Sequence, residues 1–343
     1  MNNLLARHAE SIFWLARQVE RANSTARILD VNETFSRNAR GEHDWESVLR
    51  LYGDEQNFRA TGRKPTADAV LHFYILDDHN PNSVLSNVRM ARENARALRP
   101  LISTEMWVQL NGFHNRLSGL RRPDLRVENL NRLCSYIKES CQTHSGITAE
   151  TLYRDESWYF HQLGRAIERA DQTTRLVDVK YQVLLPRPSD VGSPIDEAQW
   201  NTVLRSAAGF HAFRRVNPQS MSPPKVVEFL VLDRRFPRSV AASVLVANEH
   251  LGELRLKYGH TAKRAASGLL RKLAAALAED TAEDLIARGL HEGLDLIQAQ
   301  LGAVTDALGR EFFLLAETDE AAPQAGEFRP DRAPVAGVEA LSG

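Results

Sequence analysis

One stretch of this sequence occurs twice, and this repeat constrains the fold more than any other feature of the chain. Residues 15–31 read LARQVERANSTARILDV, and residues 163–179, which lie 148 positions further on, read LGRAIERADQTTRLVDV. The positions that are identical in both copies include Arg17, Glu20, Arg21, Ala22, Thr25, Arg27, Asp30 and Val31. A match of this length within one chain indicates an internal duplication, which predicts two similar structural units.

The repeat continues beyond this segment at slightly larger shifts. WESVLR at 45–50 matches WNTVLR at 200–205, and PNSV at 81–84 matches PRSV at 237–240. A tryptophan that both copies share is more often a core anchor than a binding surface, so we expect Trp45 and Trp200 to be buried.

The hydrophobic pattern is helical throughout. Apolar residues recur at spacings of three and four, for example at Leu130, Leu133 and Ile137, and no polar–apolar alternation is long enough to indicate a strand. Pro81 and Pro237 stand where we expect new helices to begin. The sequence therefore predicts an all-α protein with about six helices per half, built as two pseudo-twofold-related helical bundles packed as one unit.

We divide the chain into a first helical repeat at residues 1–147, a second helical repeat at 148–316 and a C-terminal tail at 317–343. The tail holds six acidic and two basic side chains and is rich in Ala, Pro and Gly. A segment of this composition buries too little apolar surface to fold, so we expect the tail to be disordered.

The composition excludes several classes of protein. The net charge is −1, which does not suit a nucleic-acid-binding protein, and no apolar run approaches the roughly 20 residues of a membrane span. Charged residues interrupt the first part of the chain, which therefore does not resemble a signal peptide. Because Cys134 and Cys141 are best interpreted as reduced core residues, we expect a soluble cytoplasmic protein.

The common nucleotide and metal motifs are absent from the sequence. It contains no Gly-x-Gly-x-x-Gly, Walker-type phosphate loop, Gly-x-Ser-x-Gly or His-Glu-x-x-His. Asp77-Asp-His79 has metal-ligating residue types, but the second copy has Asp233-Arg-Arg235 instead, so we interpret it as a polar helix end. We therefore expect neither a metal nor a cofactor.

On a helical wheel, the repeated segment has one apolar face and one face of arginine and glutamate. This Arg–Glu stripe comprises Arg17, Glu20, Arg21 and Arg27 in the first copy and Arg165, Glu168, Arg169 and Arg175 in the second. Guanidinium groups pair bidentately with carboxylate or phosphate, and each stripe has three arginines for one glutamate. We interpret the arginines as binding residues for an anionic substrate. Glu20 and Glu168 are the candidate catalytic residues, which would orient the arginines or act as a base toward an amine.

The stripes also have a structural interpretation, which the sequence leaves open. Buried Arg–Glu networks can fix the register of packed helices while contributing little net stability. In that case replacing Glu20 with Gln should cost roughly 3–5 kcal/mol, because a buried cation loses its partner. If the stripes bind a ligand, the replacement should leave the fold largely intact and abolish binding.

The doubled Glu-Arg-Ala motif resembles the alpha-E family of bacterial all-helical proteins. The resemblance is carried by residues 9–22 (AESIFWLARQVERA), by 91–96 (ARENAR) with Trp107 and Asn111, and by 163–171 (LGRAIERAD). It implies that the stripe residues are motif positions.

The same resemblance implies that Arg92 and Glu93 support substrate binding. On spacing alone, these two residues belong to a solvated ladder of charges at i and i+4. Where the family often has a glycine before the motif arginine, this chain has Ala16 in the first copy and Gly164 in the second.

The resemblance also implies a partner. Alpha-E proteins are typically encoded beside a circularly permuted ATP-grasp protein, and ATP-grasp enzymes activate a carboxylate and pass it to an amine. One hypothesis is therefore a substrate-binding or catalytic component of a system that forms or modifies peptide or amide bonds, with a small anionic or peptide substrate. The alternative is a non-enzymatic helical adaptor that docks or stabilises the ATP-grasp protein. Neither hypothesis involves nucleic acid or a membrane.

Overall fold

The computed structural model describes residues 4–38, 45–183, 194–219, 221–259 and 264–313. Within these ranges the chain forms helices and no β-strand, which confirms the predicted all-α class. The α-helices are α1 (Ala6–Asn38), α2 (Glu46–Tyr52), α3 (Glu55–Arg59), α4 (Ala67–Ile75), α5 (Val84–Ala97), α6 (Thr104–Ser118), α7 (Val127–Thr151), α8 (Glu156–Val183), α9 (Pro194–Ser206), α10 (Phe210–Val216), α11 (Pro223–Val227), α12 (Val240–Tyr258), α13 (Ala265–Glu279), α14 (Ala282–Ala287) and α15 (Leu290–Phe312). A 3-10 turn at Arg122–Leu125 precedes α7, and a π-helical turn at Glu228–Leu232 follows α11.

The two helices that carry the repeated segment, α1 and α8, lie at the centre and pack most extensively on each other. The apolar face of α1 is buried, as the helical wheel predicts, with Leu15 and Ala22 fully covered. The stripe face is buried as well, because it faces α8. A helix covered on both faces must pair its charged groups inside the protein.

The remaining long helices surround this pair in a similar order. α5 and α7 pack against α1, whereas α12 and α15 pack against α8. α6 contacts α5 and α7, and α13 contacts α12 and α15. Two further helices contact the central helix of the other half: α2 contacts α8, and α9 contacts α1. This arrangement is the one that a duplication implies, and the duplication itself stays a prediction from the sequence.

The centre of the α1–α8 contact depends on a glycine. A Cβ added at Gly164 would lie 2.3 Å from the backbone oxygen of Phe13, which is far inside van der Waals contact. The backbones of α1 and α8 therefore approach each other more closely here than a side chain would allow.

The prediction that helices begin at Pro81 and Pro237 is wrong by three residues. α5 begins at Val84 and α12 at Val240. Ser83 and Ser239 cap these helices, since each side chain accepts a hydrogen bond from the backbone N–H three residues later, at 3.1 Å and 3.0 Å. The serine oxygen satisfies a free N–H of the first turn, which fixes the start of the helix, and the proline lies in the preceding turn.

Several smaller predictions are confirmed and others lie outside the described residues. Trp45 and Trp200 are buried, and Cys134 and Cys141 are buried free cysteines. The predicted tail at 317–343 is not described by the structure. None of the helices in the described ranges is long and apolar enough to cross a membrane.

Candidate functional site

The stripes of α1 and α8 face each other, and each glutamate is bound by arginines of the other helix. Glu168 accepts hydrogen bonds from Arg17 Nε at 2.7 Å and from Arg21 Nε at 2.6 Å. Arg21 adds a second bond to the other carboxylate oxygen at 3.1 Å, and Gln172 Nε2 donates to Oε1 at 3.1 Å. We call Glu168, Arg17, Arg21 and Gln172 the Glu168 network.

Glu20 is bound in the opposite direction. Arg169 of α8 donates to its two carboxylate oxygens at 3.1 Å and 2.9 Å, and Arg238 donates to Oε1 at 2.8 Å. Arg165 and Arg27 lie near enough to interact electrostatically with Glu20 but do not bond to it. We call Glu20, Arg27, Arg165, Arg169 and Arg238 the Glu20 network.

Both carboxylates are buried, with residue exposures of 3% for Glu20 and 0% for Glu168. Burial alone would raise the pKa of each carboxyl, but the neighbouring guanidinium charges outweigh it. Arg21 and Arg17 bring the pKa of Glu168 to about 2, and Arg169 and Arg238 hold the pKa of Glu20 well below its usual range. An acid of such low pKa is a weak general base, so the geometry favours an orienting role for both glutamates.

The arginines of the Glu20 network exceed its acids. Arg27 is buried and pairs with no carboxylate among the described residues; one terminal nitrogen donates to the Ser206 carbonyl, and its Nε has no hydrogen-bond partner. Burial and the charge of Arg238 lower the pKa of Arg27 to about 9. Asn23, four residues before Arg27, stands where α8 has Asp171.

Arg165 is the second arginine of this network without a carboxylate partner. Its guanidinium donates to the amide oxygen of Gln162. Burial and the charge of Arg169 lower its pKa to about 10. Because a lowered pKa means that the charged form is poorly compensated, Arg27 and Arg165 are the groups that an added anion would stabilise most.

The predicted binding residue Arg175 is already satisfied inside the protein. Its Nε donates to Asp171 at 3.0 Å, and a terminal nitrogen donates to the carbonyl of Leu51 at 2.9 Å. Its guanidinium also lies 5.7 Å from the ring centre of Tyr52. These contacts hold α2 against α8 and leave Arg175 without a role in the Glu20 network.

Arg92 and Glu93 form a separate cluster at the surface of α5. Arg92 donates to Asn111 at 2.6 Å and to Glu93 at 2.8 Å, and its guanidinium lies 5.6 Å from the ring centre of Trp107. The structure thus brings together the residues of the ARENAR segment with Trp107 and Asn111. It does not bond them to either stripe.

Three side chains in this part of the protein could not be recognised from the repeat. Arg238 has Asn82 as its counterpart in the first copy, so the two copies share no residue type at this position. His144 and His161, on α7 and α8, are 1% and 2% exposed and interact electrostatically with each other. His144 Nε2 and His161 Nδ1 are buried and have no hydrogen-bond partner in the described ranges.

Two surface pockets lie away from the stripes. One is at the start of α7, around Arg126 and Asn129, and the other lies between α6 and α7 near Phe113 and Tyr136. The outer edge of the Glu20 network instead consists of Arg169 and Arg238, whose side chains are 18% and 17% exposed.

These features define an all-α protein in which two central helices are joined by reciprocal Glu–Arg pairs. The chain belongs to the Alpha-E family, described as a predicted α-helical domain with a conserved ER motif, whose model matches residues 4–313. The Glu20–Arg21 and Glu168–Arg169 dipeptides are the two Glu-Arg sequences of the central helices.

The chain is also similar to mycobacterial proteins. Uncharacterized protein Mb2597 of Mycobacterium bovis is 24% identical over 250 residues, which cover 67% of this chain and 28% of that protein. Uncharacterized protein Rv2567 of Mycobacterium tuberculosis strain H37Rv is 23% identical with the same coverage. The chain therefore spans little more than a quarter of the length of these relatives. No solved structure is significantly similar to it.

Proposed function

We propose that the chain is a binding component that holds an anionic group, a carboxylate or phosphate, at the Glu20 network. The observation that carries this proposal is the excess of guanidinium groups around Glu20. Arg27, Arg165, Arg169 and Arg238 all interact with this one carboxylate. Two of them, the buried Arg27 and the partly buried Arg165, have no carboxylate bond within the described part of the chain, and cations withdrawn from water are costly unless an anion compensates them.

In this proposal the two glutamates position arginines and do not transfer protons. Glu20 fixes Arg169 and Arg238 by charge-assisted hydrogen bonds, so that their remaining N–H groups point in set directions. The partly exposed Arg165, Arg169 and Arg238 provide the access from solvent, and the buried Arg27 supplies positive charge further inside. Preorganised donors of this kind hold an anion without having to reorganise when it binds.

The wider setting of the proposal rests on the family resemblance. The anionic group would be the carboxylate or acyl phosphate of a peptide or amide-linked intermediate that an ATP-grasp partner forms. The chain would then act in a peptide-bond-forming or peptide-modifying system as its substrate-binding component.

Calorimetric titration of the full chain with inorganic phosphate and with glutamate, at constant ionic strength, tests the proposal. We expect saturable binding of at least one of these anions. Arg165→Gln should weaken binding at least tenfold and leave the fold intact, because the one hydrogen bond of Arg165 to a described residue is to Gln162. Asn23→Asp should also weaken it, since it gives Arg27 the internal acid that Arg175 already has.

The matched control is Arg96→Gln, which alters a surface arginine that pairs with Glu93. This variant should bind like the unmodified chain. The proposal is wrong if neither anion binds in a saturable manner, or if Arg165→Gln and Asn23→Asp bind as tightly as Arg96→Gln does.

The reciprocal pairing of Glu20 and Glu168 favours a second candidate function, that of a helical adaptor for the ATP-grasp protein. In an adaptor, the Glu–Arg pairs only lock α1 to α8 and fix their register. Co-purification of the chain with the ATP-grasp protein, followed by an activity assay of that enzyme with and without the chain, tests this function. Full enzyme activity without the chain would exclude it.

A further inference from the structure

A third group of titratable side chains lies at the far end of α8, away from both networks. Asp178 is 3% exposed and corresponds in the repeat to Asp30 of α1. Asp30 has a permanent cation as its partner, since Lys138 Nζ lies 2.9 Å from its carboxylate, and Asn131 donates a further hydrogen bond at 3.1 Å.

Asp178 faces an imidazole instead of a lysine. Nδ1 of His291 lies 3.0 Å and 3.1 Å from the two carboxylate oxygens of Asp178, and Nε2 lies 3.5 Å from Asp295 on the next turn of α15. One ligand atom from each of Asp178, His291 and Asp295 can be chosen such that all three lie within 4.8 Å of one another. Asp178 is buried, His291 is partly buried and Asp295 is exposed, so the group is open to solvent on one side.

We propose that Asp178, His291 and Asp295 bind a divalent transition-metal cation, Zn²⁺ or Mn²⁺. Imidazole nitrogen and carboxylate oxygen are ligands that both ions accept. Ligands about 2.1 Å from a tetrahedral metal are about 3.4 Å apart. Binding one ion would therefore draw together ligand atoms that now lie within 4.8 Å of one another and would turn one imidazole nitrogen toward both carboxylates. Three protein ligands on an open side leave a further position for water.

The charge balance of the region supports a cation at this position. Asp178 and Asp295 together carry two negative charges, which a divalent ion compensates fully while His291 stays neutral as a ligand. In the first half, Lys138 supplies the positive charge at the corresponding aspartate. No local pattern indicates this site, because Asp178 and His291 are 113 residues apart and are joined by the packing of α15 on α8.

Titration of the metal-free full chain with ZnCl₂ and with MnCl₂ by calorimetry tests the proposal. We expect one equivalent of at least one ion to bind, and His291→Gln and Asp295→Asn each to weaken binding at least tenfold. Asp295 is exposed, so the thermal midpoint of metal-free Asp295→Asn should stay near that of the unmodified chain. His291→Gln keeps an amide donor for the buried Asp178, which limits its loss of stability. A Co²⁺ titration adds a spectroscopic readout, since visible absorption bands report bound nitrogen and oxygen ligands and should disappear in His291→Gln.

His79→Gln is the matched control. His79 is 96% exposed, lies beside Asp77 and Asp78, and belongs to the segment whose residue types alone suggest a metal site. This variant should bind metal like the unmodified chain. Absence of binding of both ions, or binding that His291→Gln and Asp295→Asn leave unchanged, would overturn the proposal.

Discussion

The Glu20 network and the Glu168 network have corresponding sequences but different charge balances. Glu168 is enclosed by two arginines and a glutamine, and each of these side chains bonds to it. Glu20 bonds to Arg169 and Arg238, whereas Arg27 and Arg165 remain nearby without a carboxylate bond. In the Glu168 network each arginine bonds to the carboxylate, whereas the Glu20 network has an excess of positive charge.

Two differences between the copies account for this. The first copy has Asn23 where the second has Asp171, so Arg27 lacks the acid that Arg175 has. The second copy has Arg238 where the first has Asn82, which adds a cation beside Glu20. Two differences between the copies therefore give one of the two networks an excess of positive charge.

The largest effect that we expect distinguishes the two glutamates. Glu20→Gln should lower the free energy of unfolding by about 3–5 kcal/mol whether or not an anion binds nearby, because Glu20 already pairs with Arg169 and Arg238 inside the protein. This variant therefore no longer separates the structural from the ligand-binding interpretation of the stripes. Glu168→Gln should cost less, about 1–3 kcal/mol, since only Arg17 and Arg21 lose their partner and Arg17 stays stacked at 4.6 Å over Trp14. Urea denaturation of both variants at neutral pH measures the difference.

Equal losses in these two variants would contradict the unequal charge balance. If the free energy of unfolding fell by less than about 1 kcal/mol in both variants, the two ion pairs would behave like solvent-exposed pairs and would not be buried. Arg96→Gln, at the surface of α5, is again the control, and its unfolding free energy should change by less than about 0.5 kcal/mol.

The second largest effect is a loss of folding stability at low pH, which the buried His144 and His161 cause. Burial lowers the pKa of His144 from 6.5 to about 4 and holds the pKa of His161 well below its usual value. The unfolded chain therefore takes up protons at these residues before the folded chain does, and stability falls as the pH drops from 6.5 towards 4. For His144 alone the loss should reach about 3 kcal/mol at pH 4.

Urea denaturation at several pH values between 7 and 4.5 measures this slope. His144→Gln, which can keep a hydrogen bond to Gln109, should flatten the slope, and His79→Gln, in the exposed turn between α4 and α5, is the control variant. An identical slope in His144→Gln and the unmodified chain would show that His144 is not held neutral by burial.

The third effect compares the residues before the two motif arginines. Gly164→Ala should destabilise the chain by about 1–3 kcal/mol, because the new methyl group would collide with the backbone of Phe13 and push α1 and α8 apart. Ala16→Gly is the matched change in the first copy and should cost about 1 kcal/mol through helix propensity. Thermal denaturation of both variants tests this order, and a Gly164→Ala variant as stable as the unmodified chain would contradict the close approach.

Much of the fold could be predicted from the sequence, because the relevant information is local. The spacing of Leu130, Leu133 and Ile137 gave the helical class, and the repeat gave the two central helices. Proline alone predicts helix starts that are three residues too early, because the serine two positions later caps each helix. Ser83 and Ser239 set the starts through their side-chain hydrogen bonds, and a Ser two residues after Pro was present in both copies.

The site could be predicted only in part, because its geometry depends on packing between distant segments. The wheel placed Arg17 and Glu20 on one face, but no pattern within α1 shows that this face meets the same face of α8. The bond from Arg169 to Glu20 spans 149 residues and that from Arg238 spans 218. Residues that differ between copies, such as Arg238, cannot be found by searching for what the copies share.

The smallest effect concerns the two capping serines, where the halves should behave alike. Ser83→Ala and Ser239→Ala should each cost about 1 kcal/mol, because each removes the acceptor for a backbone N–H in the first turn of its helix. The Ser239→Ala variant should lose slightly more stability, since the Ser239 hydroxyl also donates a hydrogen bond to the carbonyl of Asp233. If thermal denaturation gave a loss for only one of the two variants, the helix starts would not be set in the same way. In that case the difference between the halves would extend beyond the charges of the two networks.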